Sequence, residues 1–440
     1  MPLKPLILIL FPQDWEMIAL PDLRRRYPDY AFETAGFDLF KFPENAQLLW
    51  FDPESFVTKL RRRYKAREIA AVLSTHEQFG ALCAALMAEQ CGLPGTSVEA
   101  VLRAQHKAVA RELHAATMPE AVPPFQLFTF GQDPVEQVSL SYPFFVKPVK
   151  AAYSVLARKI NSPDDLRVHT TFKPFEKHII RRLTQPFNRI ARKRLNTVVD
   201  GDYMMAESLM AGEQVNVDGF AFDGKVTILG TLDAVMYPHT NAFMRFELPS
   251  RLSPTAIMQC QTVAQRAVET LGFNHGLFNV ELFWDDESQQ AKIIEVNPRM
   301  AAQFADLYEK VHGLNLYHAQ VELSLGRAPV LSPTGGAFGA AASFVYRVFD
   351  ASLRYAPTDH ELAQLRSQYP DSIFTPDFKY GVSREREQRW LGSHRYALLN
   401  LGGRDHHDLM ARYASANELL NFDRAPRGLP GAVHAIRKGV

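Results

Sequence analysis

The sequence predicts an α/β protein with an additional α+β portion at its C-terminal end. Three observations lead there. Leu6–Phe11 and Ile69–Ser74 are continuous apolar runs, as expected of parallel strands covered on both faces. Between Tyr203 and Val296, apolar residues alternate with polar ones in stretches separated by short polar turns, the pattern of antiparallel hairpins. After Pro333 the texture changes, and short strand-like and helical stretches follow one another to the end of the chain.

The elements follow in order. The run Leu6–Phe11, the run Ile69–Ser74 and the helical stretch Gly80–Gln90 define an open α/β domain over residues 1–105, closed by the turn Gly92-Leu93-Pro94-Gly95. A helix carrying Lys107 comes next, then the extended, proline-rich segment Met118–Phe125. Tyr142–Val149 reads as a strand with a lysine near its end, and a polar, basic region occupies Asn161–Asn196. Tyr203–Glu207, Gln214–Phe222 and Lys225–Leu229 read as strands, with Asp223-Gly224 as the turn of a hairpin. Pro254–Leu271 has helical periodicity. Leu277–Trp284 and Ala291–Val296 form a second hairpin around Asp285–Gln290. In the portion 331–440, Ala340–Phe349 and Tyr396–Asn400 read as strands, and Asp359–Gln368 and His406–Ala414 as helices. His406 and His407 have no convergent partners in the sequence and are expected on a helix surface.

The chain has 440 residues, 47% hydrophobic and 22% charged, which is ordinary for a globular protein of several domains. A net charge of +1 provides no global field for nucleic acid or an anionic membrane. Three cysteines without a CxxC pair argue against a disulfide scaffold or a thiolate metal site. The apolar run at the start is too short to span a membrane and has prolines on both sides, so it is expected as a buried strand. A cytoplasmic enzyme fits these properties.

The most informative segment is LFNVELFWDDESQQAKIIEVNPRM, residues 277–300. A turn centred on Asp285–Gln290 sets Glu281 opposite or nearly opposite Glu295. The period of two then brings Asn279, Glu281, Glu295 and Asn297 to one face. Facing carboxylates destabilise a hairpin unless something neutralises them. Two carboxylates and an amide oxygen suit Mg²⁺, with phosphate oxygens of a substrate completing its shell. A solvated hairpin with scattered acids is the alternative; the clean alternation of Phe278, Val280, Leu282 and Ile294 favours the metal. Arg299, just beyond, is well placed to hold a developing anion.

Glu295-Val296-Asn297-Pro298-Arg299, with Glu281 on the paired strand, resembles the metal-binding signature of the ATP-grasp superfamily. Lys107 and Lys147 resemble the two lysines that grip the nucleotide phosphates. Met205–Glu213 resembles the hinge between the two lobes. The resemblance implies that main-chain groups of Glu207, Ser208, Leu209 and Met210 read the adenine edge and that Glu213 accepts the ribose hydroxyls. It covers residues 5–330, and the tail is similar to the C-terminal lobe of the biotin-carboxylase-like branch. The implied architecture is an N-terminal open parallel α/β domain (1–105), a two-lobed ATP-grasp core (106–330, lid lobe about 125–207) and a C-terminal α+β domain (331–440). The implied ligands are ATP and Mg²⁺, with Mn²⁺ as a substitute, and the implied partners are a small carboxylate and a small amine. No nucleic acid or membrane is expected, and a homodimer is one admissible assembly.

The sequence departs from the family in two places. The loop after the second lysine, Val149–Arg158, contains no glycine, although Ser154 can offer a hydroxyl to a phosphate. Carboxylating members of the branch carry a glutamate base a few residues beyond the Asn-Pro-Arg, where this chain has Gln303, which cannot take a proton from bicarbonate. The chain therefore looks most similar to the L-amino-acid ligases, which form an amide through an acyl phosphate. That resemblance makes Arg245 and Glu247, on one strand face, candidates for binding a substrate carboxylate and ammonium. A surface ion pair is the other reading. His275 is a further candidate for that pocket, with a structural role as its alternative. A non-catalytic nucleotide-binding protein would be expected to lose the metal set, which is intact. The basic stretch Lys173–Arg194 reads as a solvated helical excursion on the lid; a nucleic-acid or membrane patch is the competing reading, and attraction of an anionic substrate a third.

Overall fold

The computed structural model describes residues 3–38, 44–129, 132–150, 156–331, 335–350, 355–377 and 392–422. By their contacts they form two compact units, one of Met1–Thr231, Ser250–Ala305 and Asn315–Leu331, the other of Leu232–Pro249, Asp306–Leu314 and Ser332–Val440.

The first unit begins with a parallel three-stranded sheet of order β2-β1-β3, formed by β1 (Leu6–Leu10), β2 (Ala31–Ala35) and β3 (Ile69–Leu73). Strand β1 is fully buried, as its unbroken apolar run requires. Helices α1 (Asp14–Arg26), α2 (Pro53–Arg63), α3 (Gly80–Cys91) and α4 (Val98–Gln105) accompany the sheet. Ser97 caps α4 through the main-chain N–H of Ala100, and helix α5 (Lys107–Thr117) starts directly on Lys107.

A four-stranded antiparallel sheet follows, of order β4-β7-β5-β6. Its strands are β4 (Phe125–Thr129), β5 (Phe144–Pro148), β6 (Arg158–Ile160) and β7 (Tyr203–Ser208), with helices α6 (Pro134–Gln137), α7 (Pro163–Thr170) and α8 (Pro174–Leu195) inserted along the chain. The last of these is the basic stretch, and it is not simply a solvated helix. Phe187, Ile190 and Ala191 are buried in the same core as Leu6, Leu8 and Leu86 of the N-terminal domain. Two of its arginines turn towards acids of that domain: Arg189 pairs with Asp52 and Glu54, and Arg194 with Glu89 and Glu99. The sequence shows the charges of this helix more readily than its narrow apolar stripe.

The rest of the first unit is antiparallel. Strand β8 (Glu213–Phe222) turns at Asp223-Gly224, both at positive φ, into β9 (Lys225–Met236), as an Asp-Gly hairpin requires. Strands β11 (Gly276–Asp285) and β12 (Gln290–Asn297) extend the order to β12-β11-β8-β9. Helix α9 (Pro254–Thr270) covers one face, where Ala256, Cys260 and Ala264 share a core with Val215, Val280 and Val296.

Beyond Leu232, β9 belongs to the second unit. There it pairs with β10 (Phe243–Leu248), followed in the sheet by β13 (Ala340–Val348), β15 (His394–Gly403) and β14 (Ile373–Pro376). Helices α12 (Asp359–Gln368) and α13 (His406–Leu420) bury Leu365, Leu409, Ala416 and Leu420 against Phe344 and Leu399. Between β12 and β13 the chain forms α10 (Ala302–His312) and α11 (Leu316–Ser324). No helix among the described residues is long and apolar enough to cross a membrane.

Candidate functional site

The β11–β12 hairpin sets the register of the site. Glu281 lies opposite Glu295 and Asn279 opposite Asn297, with a bulge after Glu281. On the other side of β11, Asn279 faces Asp218 and Glu281 faces Asn216 of β8. Because successive side chains alternate between faces, Gln214, Asn216 and Asp218 extend the polar face of the hairpin across a third strand. The alternation Gln-Val-Asn-Val-Asp at 214–218 carried this signal in the sequence.

The face is tightly connected. Asn297 Nδ2 donates to Glu281 Oε1 and to Asn279 Oδ1, both at 3.2 Å, and Gln214 Nε2 donates to Glu281 Oε2 at 3.0 Å. Asn279 Nδ2 in turn donates to Asp218 Oδ1 at 2.9 Å. Burial, reinforced by the charge of Glu295 across the strands, pushes Glu281 up to about 7. Burial acts on Glu295 in the same direction, but the ammonium of Lys107 outweighs it and holds that carboxyl below its ordinary value. The pair thus shares a surplus of negative charge that a cation would neutralise. Among the described residues, no cluster of three His, Cys, Asp or Glu side chains is arranged to hold a metal. Two carboxylates and an amide instead fit a Mg²⁺ or Mn²⁺ that takes its remaining oxygens from phosphates or water.

This arrangement predicts a pH dependence. The folded protein retains the Glu281 proton up to about pH 7, whereas an unfolded chain releases it near 4.5. This group's contribution to stability is therefore present at low pH and lost as pH rises through that interval. A Mg²⁺ ion held by Glu281 would compete with the same proton. Thermal melts with and without Mg²⁺ are expected to show a metal-induced rise in Tm at pH 7 and above that fades towards about pH 5.

Lysines approach the hairpin from two elements. Lys107, at the start of α5, pairs with Glu295. Lys147 on β5 lies diagonally across from Glu207 on β7, which is opposite Phe145. Its ammonium is 2.6 Å from Glu207 and donates to the carbonyl of Ile294 on β12 at 3.3 Å. Arg111, one turn after Lys107, completes the arrangement. It stands 2.5 Å from Glu207 and donates to the carbonyls of Ile293 and Ile294 at 2.7 and 3.1 Å. Burial would raise Glu207, yet Arg111 and Lys147 together hold it below its ordinary value. The Glu207 side chain thus anchors two cations, leaving only its main chain for the reading of a base.

Of the other candidates for the nucleotide, Ser208 ends β7 with its N–H on the carbonyl of Pro124 at 2.9 Å. Leu209 and Met210 follow it, and Leu209 is exposed. Glu213 opens β8 on the surface. Ser154 lies outside the described residues. Arg299 turns towards the N-terminal domain, its Nε 3.0 Å from Glu77 in the loop after β3.

The substrate candidates separate. His275 is buried, with Nε2 2.7 Å from the carbonyl of Leu323 and the ring beside Phe222, an arrangement that favours its structural role. Arg245 and Glu247 pair at 2.9 Å in the second unit, and Glu247 is buried, so they are not a surface ion pair. His406 does have a partner, contrary to expectation: at the start of α13 its Nδ1 is 2.7 Å from Glu247. The partner lies far away in sequence, so no local pattern announces it.

The sequence matches the ATP-grasp domain family over residues 140–306. It is 25% identical over 283 residues to the uncharacterised protein y4rH of Sinorhizobium fredii, a match covering 63% of this chain and 54% of that one. It is 31% identical over 137 residues to carnosine synthase 1 of Gallus gallus, covering 30% of this chain and 14% of the synthase. The matches thus span about half of the first relative and a small part of the second. In three dimensions it is similar to the L-amino acid ligase of Bacillus licheniformis, with a TM-score of 0.69 at 14% identity, over 95% of this chain and 98% of the ligase. Residues 140–306 thus match an ATP-grasp domain, and the chain shares its fold with that ligase.

Proposed function

We propose that the protein is an ATP-dependent ligase that joins a carboxylic acid to an amine through an acyl phosphate, releasing ADP and phosphate. The observation that carries this reading is the convergence of Lys107, Lys147, Glu295 and Glu281 on one hairpin face. It provides ammonium groups and a cation site together, which is what a nucleotide's terminal phosphates require. Glu281, Glu295 and Asn297 would hold Mg²⁺ or Mn²⁺, and that ion supplies charge neutralisation for the phosphates when bound. Lys107 and Lys147 bind phosphate oxygens. The main chain of Glu207, Ser208, Leu209 and Met210 takes the adenine, Glu213 the ribose, and Ser154 offers its hydroxyl to a phosphate.

The chemistry needs no enzyme nucleophile. A carboxylate oxygen of the acid attacks the terminal phosphorus as the bond to the bridging oxygen of ADP breaks. The amine then attacks the acyl carbon, phosphate leaves, and the amine nitrogen loses a proton. Arg299 stabilises the anionic intermediates, and the remaining catalysis is positioning. Arg245 and Glu247 are assigned to the carboxylate and ammonium of the substrates, with His275 as the least supported of the three. The domain limits 1–105, 106–330 and 331–440 and a cytoplasmic location belong to the same reading. The likeness to an L-amino acid ligase and to part of a carnosine synthase accords with amide formation.

A phosphate-release screen of amino acids and amines, singly and in pairs, tests the proposal. Release that requires both an acid and an amine is expected. Release with bicarbonate and biotin alone would replace ligation by carboxylation.

A further inference from the structure

Three lysines lie around the site, Lys147 and Lys150 buried and Lys107 partly exposed, and they are not equivalent. Lys107 is neutralised by Glu295 and Lys147 by Glu207. Lys150, two residues beyond the end of β5, is as deeply buried as Lys147, at 5% exposure, but among the described residues no carboxylate lies within ion-pair distance of it. Its Nζ donates to Gln105 Oε1 at 3.1 Å and sits 4.5 Å from the centre of the Phe187 ring, over its face. Gln105 is itself fixed, with Nε2 donating to the carbonyl of Glu77 at 2.6 Å. The ammonium is thus held in place by one neutral amide and one aromatic ring.

Such a group is costly to bury unless an anion arrives. Its surroundings point to where that anion would come from. The charges that Lys150 feels are those of Glu77, Lys107 and Glu295, so it lies within the field of the hairpin site. Burial, with the added repulsion of Lys107, brings its ammonium down to about 8, so the extra proton is held weakly until negative charge is supplied. Lys107 and Lys147 have their charges already matched by carboxylates.

We propose that Lys150 is the lysine that binds the terminal phosphoryl group of the nucleotide, with Gln105 and Phe187 positioning its ammonium. The assignment rests on the reading of the hairpin face as an ATP site.

The test compares two nucleotides that differ in this group alone. Affinities for ADP and for the non-hydrolysable analogue AMP-PNP, each with Mg²⁺, are measured by calorimetry on the full chain and on Lys150→Gln and Lys150→Arg variants. Losing a charge-assisted hydrogen bond to the terminal phosphoryl should weaken AMP-PNP roughly 10- to 100-fold in the glutamine variant. ADP affinity should stay within about twofold, which also reports an intact fold, and the arginine variant should recover part of the AMP-PNP affinity. Equal weakening of both nucleotides, with or without a fall in Tm, would make Lys150 a structural residue and overturn the assignment. So would unchanged binding of both. Failure of the unaltered protein to bind either nucleotide would bring down the ATP site itself, a result distinct from these.

Discussion

A Glu295→Gln variant is expected to form ADP about a thousandfold more slowly than the parent protein while remaining folded. Glu295 has two partners to lose. It is one of the two carboxylates that face each other across the β11–β12 hairpin, and it neutralises Lys107. The amide keeps the size and the hydrogen-bonding reach of the acid but takes half the negative charge from the proposed cation site. It also leaves Lys107 to pull the nucleotide towards itself without a counter-charge. Relief of repulsion with Glu281 partly offsets the loss of the Lys107 pair, so Tm should move little. A coupled assay of ADP formation decides the matter: an unchanged rate with a competent acid and amine would rule out a role for the hairpin in the chemistry.

The second large effect concerns stability. A Glu207→Ala variant is expected to lose about 3–5 kcal/mol in urea unfolding, because it strands two buried cations at once. Arg111 and Glu207 are 3% and 1% exposed at their side chains, and Lys147 is 6% exposed, so water cannot take the place of the missing carboxylate. A Glu207→Gln variant keeps an acceptor oxygen for one of the two cations but turns an amide NH2 towards the other, so its loss should be smaller than that of the alanine variant without vanishing. Loss of less than about 1 kcal/mol in the alanine variant would mean that the network is solvated in solution, as exposed pairs are.

Much of this site could be read in the sequence because it lies on strands. A period of two and one short turn were enough to place Glu281 against Glu295 and Asn279 against Asn297. Lys107 and Lys147 were identified from their motif neighbourhoods, and both do reach the hairpin. What escaped came from elements whose local pattern is uninformative. Arg111 sits on a short helix with Lys107, Glu112 and His114 and looks like any surface arginine until tertiary packing buries it against Glu207. Glu77 and Gln105 reach the site from the N-terminal domain, and no spacing rule relates residues so far apart. Strand β2 was missed because its centre carries Glu33, whose charge is met by Arg67 and whose carboxylate accepts from Tyr64. In α8, Lys and Arg are interleaved with the apolar residues, yet Phe187, Ile190 and Ala191 recur at helical spacing on the buried side.

Helix α8 also bears on how the chain is partitioned. In sequence it interrupts the four-stranded sheet, between β6 and β7, yet its apolar side completes the core beneath β1. The helix therefore shares its opening free energy with the N-terminal sheet, and the cooperative unit of folding crosses the boundary that sequence order would draw. Excising residues 1–105 as a separable module would leave Phe187 and Ile190 facing water. The two segments are in this sense one foldon written in two pieces, and any recombination of the N-terminal domain would have to carry the helix with it.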